Sequence, residues 1–363
     1  MRTVWAVVAM VAMTSAVTAQ DRPEKLDAAL NLWAKDVAPY AVGMGYQFTG
    51  GAPEVRQSGN VHRWSRTPLA EDTLWHIGSI TKSFTATLIM QLEAEGLVAL
   101  DAPIATYLAA FEDQLDPSWG ALTLDALLTH NAGVPPNAAM RLSSDNPRAQ
   151  RLEVLQSFWT EPLNPPEERE YSNLGYVLAG VIAEEVTGQD WRSLVQTRIA
   201  EPLGLQSLGF GAPMQDGAPY GHRRWLGVNF PVEPGDDSSD NPAWMGPAGR
   251  LHMSIADLLK WGTAHNAACA GLDETLLPQA SCQQMRASVQ ETFGYGWVTQ
   301  FSEPLNQRVV WHNGSNTMWY AILIMVPEAG FAVAAAINRA DYERTDQAAA
   351  DLAARLLDIE LEY

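Results

Sequence analysis

Apolar positions along this chain recur at two periods. Over residues 22–37, Leu26, Ala29, Leu30 and Trp33 are spaced three and four apart, which predicts an amphipathic helix. Residues 41–49 are rich in Val, Tyr and Phe punctuated by glycine, and predict a strand. Pairing with the segment around Val55 through Gly50-Gly51 would make a hairpin. From about Trp75 to Leu208 helical spacing dominates, with helices predicted over 79–95, 122–130 and 174–187. Gly96 and Gly188 sit just past two of these as C-terminal stops. Residues 211–247 are rich in Pro, Gly and Asp and predict a long loop region. Strands return over 308–311, 318–326 and 331–337. Two of these are apolar at nearly every position, which predicts a sheet covered on both faces. Residues 346–357 form a last amphipathic helix. Strands at both chain ends with helices between them predict an α/β (α+β) fold. Its sheet is built from the two termini, with a helical lobe, roughly residues 75–245, inserted between them.

Composition narrows the function. The chain has 363 residues, 47% hydrophobic and 18% charged, enough to bury a sizeable core. Its 42 acidic against 23 basic residues give a net charge of -19, which argues against a nucleic-acid partner and against docking on anionic lipid. Arg2, the apolar run from Val4 to Met13 and the small residues ending Val17-Thr18-Ala19 predict a signal peptide over 1–19. The mature chain is then 20–363, exported to a periplasm or outside the cell. The alternative is an uncleaved anchor, against which the run is short for a span of roughly 20 residues. No second segment is apolar enough to span a bilayer. Cys269 and Cys282 are the only cysteines. In an oxidising compartment they can close a short loop, and otherwise they are two buried thiols. The seven histidines are scattered, so no metal site and no cofactor are predicted.

Three segments carry candidate chemistry. The first is His76-Ile77-Gly78-Ser79-Ile80-Thr81-Lys82. A helix starting near Ser79 places Ser79 and Lys82 side by side, because positions three apart share a face. Unpaired backbone N–H groups at a helix start can stabilise an oxyanion, and Gly78 permits a close turn. Ile80, Phe84, Leu88 and Leu92 would keep Lys82 dry, and desolvation lowers a lysine pKa. A fall of about 3 units costs the charged form roughly 4 kcal/mol and makes lysine a base for serine. The second is Tyr171-Ser172-Asn173, before the helix at 174. It reads either as a proton relay or as a helix cap. The third is His312-Asn313-Gly314-Ser315, after the strand at 308–311. Here His312 is either a proton shuttle or anion ligand or an ordinary edge residue, and Gly314 would let a substrate lie against the strand.

In this order the three segments resemble the signature of the serine β-lactamase and penicillin-binding protein superfamily, and in particular its class C, DD-peptidase and family VIII esterase branch. Leu127-Leu128-Thr129-His130-Asn131-Ala132-Gly133-Val134, Gly246-Pro247-Ala248-Gly249-Arg250-Leu251 and Phe293-Gly294-Tyr295-Gly296-Trp297 resemble further stretches of that branch. The resemblance runs from about residue 40 to 340. It implies a β-lactamase-like fold, an antiparallel sheet flanked by helices plus a mostly helical lobe, with the site between them. It also implies roles. Ser79 would be the acylated nucleophile, with Lys82 its base or relay, and Tyr171 would share proton transfer. Asn173 would hold Lys82 and the substrate amide, and His312 would take the third-motif position. The N–H groups of Ser79 and Ser315 would form an oxyanion hole. Either Lys82 or Tyr171 could be the base.

The third motif departs from the Lys-Thr-Gly usual in class C enzymes. His312 and Asn313 replace a fixed charge and a hydroxyl that suit a substrate carboxylate. Arg250 could supply charge instead, or be a solvated surface residue. His130 reads as structural, and most of the thirteen tryptophans as core, some walling the cleft. The expectation is an exported serine hydrolase acting on a small-molecule or peptide ester or amide, as a carboxylesterase or a D-amino-acid peptidase. The alternatives are a class C-like β-lactamase or a penicillin-binding protein that acylates with little turnover. The sequence leaves the oligomeric state open.

Overall fold

The computed structural model describes residues 21–163, 169–236, 238–287 and 293–359, so the predicted signal peptide lies outside the described residues. The first helix, α1 (Arg22–Val37), falls where the apolar spacing places it and buries Leu26, Ala29, Leu30 and Trp33. The strands β1 (Val42–Phe48) and β2 (Glu54–Ser58) form the expected hairpin. The short strand β3 (Leu74–Gly78) leads into α2 (Thr81–Ala94). Then come β4 (Gly209–Phe210), β5 (Gly221–Trp225), β6 (Val228–Val232) and β7 (Leu251–Ser254). The last four strands are β8 (Val298–Ser302), β9 (Gln307–Ser315), β10 (Tyr320–Val326) and β11 (Phe331–Ile337).

The two chain ends build one antiparallel six-stranded sheet in the order β2-β1-β11-β10-β9-β8. Every residue of β10 and β11 is buried, because helices cover both faces. On one face Ile322, Ile324, Val333 and Ala335 pack with Leu30 and Trp33 of α1 and with Leu352 of the last helix, Tyr342–Leu356. On the other, Leu323, Met325 and Ala334 join the main core with Leu259 and Trp261 of the helix Ile255–Cys269. This double coverage explains why these strands read as unbroken apolar runs.

α2 runs through the core between sheet and lobe, buried on nearly every side. Phe84 stacks on Trp261 at 3.9 Å. Its polar residues are satisfied: Trp261 donates to Ser83 Oγ at 2.9 Å, and Thr85 donates to the Pro247 carbonyl at 2.7 Å. A buried hydroxyl without a partner would cost about 1–3 kcal/mol, so these bonds are what allow Ser83 and Thr85 in a dry helix.

Several boundaries differ from expectation. α2 begins at Thr81, leaving Ser79 and Ile80 in the turn before it. The helix expected over 122–130 shortens to Leu124–Leu128, capped by the Thr123 hydroxyl. The region 211–247 is not all loop, since it contains the β5–β6 hairpin. Only the first two residues of that hairpin are buried, so it has no core-facing apolar run to announce it. β9 runs four residues past Trp311, which puts His312 to Ser315 on the strand itself. Gly96 and Gly188 are left-handed at φ +72° and +68°, the conformation a helix stop uses. Cys269 and Cys282 form a disulfide joining the helices Ile255–Cys269 and Gln279–Arg286. Most tryptophans are core, including Trp33, Trp75, Trp119, Trp159, Trp191, Trp261, Trp297 and Trp319. No helix among the described residues is long and apolar enough to cross a membrane.

Candidate active site

The site is built at the turn between β3 and α2. The β3–β7 register slips between His76 and Gly78, and this bulge re-aims the chain. Gly78 takes φ +51°. The Thr81 hydroxyl donates to Gly78 O at 2.6 Å and accepts from Leu251 N at 3.1 Å, fixing the turn. Ser79 is left half-buried at the start of α2, and Lys82, one turn on, is completely buried.

Lys82 Nζ has three oxygen neighbours: Asn173 Oδ1 at 2.7 Å, Ala248 O at 2.7 Å and Ser79 Oγ at 3.1 Å. The first two can only accept. The third is a hydroxyl, which can accept or donate. A neutral amine therefore spends two N–H groups on Asn173 and Ala248 and turns its lone pair to the serine O–H. Burial pulls the Lys82 pKa well below its ordinary value. No carboxylate among the described residues pairs with it to oppose that shift.

Tyr171 and Asn173 flank Ser172, which caps the helix Asn173–Thr187 by accepting from Gly175 N at 2.9 Å. The cap and the polar pair thus coexist. The cap bond orients the chain, and its neighbours on either side reach the serine and the lysine. The Tyr171 hydroxyl faces Ser79, and Lys82 Nζ lies 4.8 Å from the Tyr171 ring centroid. Desolvation raises the Tyr171 pKa, and the Ser79 hydroxyl beside it opposes the rise. The ring rim is open, at 41% exposed, so the shift reflects the crowded hydroxyl end rather than the whole side chain. The Asn173 amide nitrogen donates to Asn137 Oδ1 at 2.8 Å, a partner that the sequence did not suggest.

His130 is buried beneath this pair, its ring 4.4 Å from that of Tyr171. Ser172 N donates to its Nδ1 at 3.1 Å, which assigns the ring proton to Nε2. Burial first, and then repulsion from Lys82, His312 and Arg169 in their protonated forms, holds its pKa at about 2. It is a neutral wall that holds the Tyr171–Ser172 segment.

On the sheet side, His312 is buried and Nδ1 lies 2.5 Å from its neighbour's carbonyl, Asn313 O. A carbonyl only accepts, so Nδ1 carries the proton and Nε2 presents a lone pair. That Nε2 has no partner among the described residues. Burial, then repulsion from Lys82 in its protonated form, pushes the His312 pKa down to about 3, against which the Asn313 bond acts. This imidazole is neutral at pH 7. Asn313 lines the cleft, and its amide also faces Tyr320 and Asp346, where Tyr320 donates to Asp346.

Gly314 lines the cleft and is packed tightly on its other side. A Cβ there would meet Ile77 O at 2.1 Å and Ser79 N at 2.3 Å, so the β3 turn itself lies against it. The backbones carrying Ser79 N and Ser315 N are thereby pressed together. A cleft of about 370 Å³ opens in front of them, lined by Ser79, Tyr171, His312, Asn313, Gly314 and Ser315 and walled by Phe293, Trp311 and Tyr342. Phe293 belongs to a stretch singled out by sequence, whereas Tyr342 carries no local signal. Arg250 is neither solvated nor in this cleft. Its Nε lies 3.0 Å from Asp240 Oδ2, beside a separate cavity of about 350 Å³.

The chain was compared with known proteins. A family model described as Beta-lactamase matches residues 27–358. Penicillin-binding protein 4 of Amycolatopsis lactamdurans is 26% identical over 299 residues, covering 77% of this chain and 76% of that protein. Esterase EstB of Burkholderia gladioli is 29% identical over 273 residues, covering 67% and 69%. Among solved structures, the D-amino acid amidase of Ochrobactrum anthropi SV3 superposes with a TM-score of 0.76 at 23% identity, over 93% of this chain and 99% of that one. At that identity the likeness is one of fold.

Proposed function

The chain belongs to the Beta-lactamase family, and from that premise we propose that it is an exported serine hydrolase that forms an acyl-enzyme on Ser79 and hydrolyses an ester or an amide. The family's fold carries serine hydrolases. The observation that carries the reading is the lysine: buried, without a counter-charge, and holding two acceptor-only oxygens with its lone pair left to Ser79 Oγ. Export rests on the segment 1–19 and is supported by the disulfide, which persists in oxidising compartments.

The steps follow from the groups present. Lys82 takes the Ser79 proton as Oγ bonds to the substrate carbonyl carbon. Negative charge moves to the carbonyl oxygen, in reach of the N–H groups of Ser79 and Ser315. When the tetrahedral species collapses, the leaving oxygen or nitrogen needs a proton. Tyr171 is kept protonated by its raised pKa and supplies that proton, and protonated Lys82 restores it. Water then adds to the ester carbonyl on Ser79 and gives its proton to Lys82; as this second tetrahedral species collapses, the acyl–Oγ bond breaks, Oγ recovers that proton and the carboxylic acid leaves. The lowered Lys82 pKa suits a base, and Tyr171 stays protonated, so it can donate to the more basic leaving oxygen or nitrogen.

The neutral His312 favours an uncharged ester or amide over a β-lactam, whose carboxylate would find no fixed charge at this position. The resemblance to an esterase agrees with that preference. The test is a panel of p-nitrophenyl esters, D-alanyl peptides and a chromogenic cephalosporin. Turnover of esters or D-alanyl peptides with the higher kcat/KM is expected. Turnover of the cephalosporin alone would overturn the reading, and so would stoichiometric acylation without release.

A further inference from the structure

Outside the catalytic groups, one carboxylate ties together the two segments that supply the oxyanion N–H groups. Asp240 is nearly fully buried, with its side chain 6% exposed. Its Oδ1 lies 2.8 Å from Nε2 of His76 and accepts from Asn316 Nδ2 at 3.1 Å and from Asn241 N at 2.7 Å. Its Oδ2 accepts from Arg250 Nε at 3.0 Å.

His76 is fully buried on β3, three residues before Ser79. Gly78 N donates to His76 Nδ1 at 3.1 Å, which leaves the ring proton on Nε2, in close contact with Asp240 Oδ1 but off the line of a hydrogen bond. The same imidazole thus holds the turn on one side and packs against the carboxylate on the other. Asn316 directly follows Ser315. Its Oδ1 accepts from Met318 N and Trp319 N, both at 3.2 Å, and this pins the loop after β9. Ser315 Oγ closes the loop by donating to Trp319 O at 2.6 Å.

We infer that Asp240 is a positioning residue that sets the gap between Ser79 N and Ser315 N, acting through His76 on one side and Asn316 on the other. This rests on the reading of Ser79 as an acylated nucleophile. The chemistry supports a clamp rather than a mere filler. Burial alone would raise the Asp240 pKa, but His76, Arg250 and Asn316 outweigh it and hold the carboxyl below its usual range. A permanently ionised carboxylate with charge-assisted partners is stiff. Small misplacement matters here, since an error of about 1 Å in a reacting geometry can lower the rate roughly 100-fold.

The test uses oxo and thiono forms of one p-nitrophenyl ester, because a thiocarbonyl sulfur fits an oxygen-sized hole poorly. The wild-type chain should prefer the oxo ester strongly. D240N, H76L and N316A should each lower kcat for the oxo ester about 10- to 100-fold, with KM within about threefold. Each should also move the oxo-to-thiono ratio toward one. H76Q keeps an acceptor and a donor and should recover most of the H76L loss. Loss of Tm with an unchanged ratio in the folded protein would mean that Asp240 only stabilises the fold, and would overturn the inference. If D240N does not fold, H76L and N316A decide on the same ratio. Wild-type protein that neither turns over esters nor labels with a fluorophosphonate would sink the functional reading itself. An active wild type with unchanged ratios in all variants would sink only this inference.

Discussion

Gly78 and Gly314 lie back to back: a Cβ on Gly78 would sit 2.2 Å from Ser315 N, and one on Gly314 would sit 2.3 Å from Ser79 N. Each glycine is thus demanded by the partner strand's N–H. Ala at position 314 must push the two segments apart, because the atoms it meets are backbone and cannot rotate away. Overpacking of this kind costs about 1–3 kcal/mol. Gly314→Ala should lower Tm by several degrees and kcat by at least about 100-fold. A variant within threefold of wild type in kcat would mean that the two N–H groups do not act together.

Ser79→Ala should abolish hydrolysis while leaving the fold intact, since a half-buried hydroxyl at a turn contributes little packing. Intact-protein mass after fluorophosphonate treatment should show one adduct on the wild type and none on the variant. An adduct that persists on Ser79→Ala removes this serine from the chemistry.

How much of this was legible beforehand differs by level. The sheet's membership was readable because β10 and β11 are covered on both faces and carry unbroken apolar runs. The β5–β6 hairpin was not, because only Gly221 and His222 of it are buried while Trp225, Val228 and Phe230 are exposed, so hydrophobicity does not track burial there. At the site, Ser79 and Lys82 were readable because a three-residue spacing is local. Ser172 was legible as a cap, and the cap turned out to lie between Tyr171 and Asn173, which both reach the lysine–serine pair. The Asp240 clamp was illegible. Asp240 looks like any acidic residue of a Pro-, Gly- and Asp-rich loop, and its partners His76 and Asn316 are 164 and 76 positions away, a separation that no local pattern encodes.

The lysine and tyrosine shifts fix the direction of the pH profile. Lys82 must be neutral to act as a base, so kcat/KM should rise with pH through its lowered pKa and then level off. The same shift acts on stability. Between the folded pKa and the ordinary value of 10.5 the unfolded chain binds the extra proton, so this group makes stability increase with pH across that window. Lys82→Ala and Tyr171→Phe should each cut kcat roughly 10²–10⁴-fold with smaller changes in KM. Either variant within about threefold of wild type would take that residue out of proton transfer.

His312→Lys tests substrate class and reaches Lys82 as well. The His312 imidazole is neutral, its pKa held at about 3 by burial and by repulsion from Lys82 in its protonated form. A lysine there brings a cation when it stays protonated, and a charge-assisted hydrogen bond to a carboxylate contributes about 1.5–3 kcal/mol. Converted to rates, that is roughly 10- to 100-fold in the ratio of kcat/KM for a cephalosporin over a neutral short-chain ester. Burial opposes the new charge and Lys82 repels it, so the lower end of that range is expected. The repulsion works both ways. A cation at position 312 stabilises neutral Lys82, so the acid limb of the ester profile should shift to lower pH. Measuring both quantities separates two failures. A flat substrate ratio with a shifted limb means that position 312 is coupled to Lys82 but does not face the substrate's anionic end. A flat ratio with an unmoved limb, in a folded variant that still acylates, means that the new ammonium is neutral in the cleft or that Lys82 does not set the limb. Lys82→Ala distinguishes these, because loss of the limb in that variant assigns it to Lys82 and leaves desolvation of residue 312 as the cause.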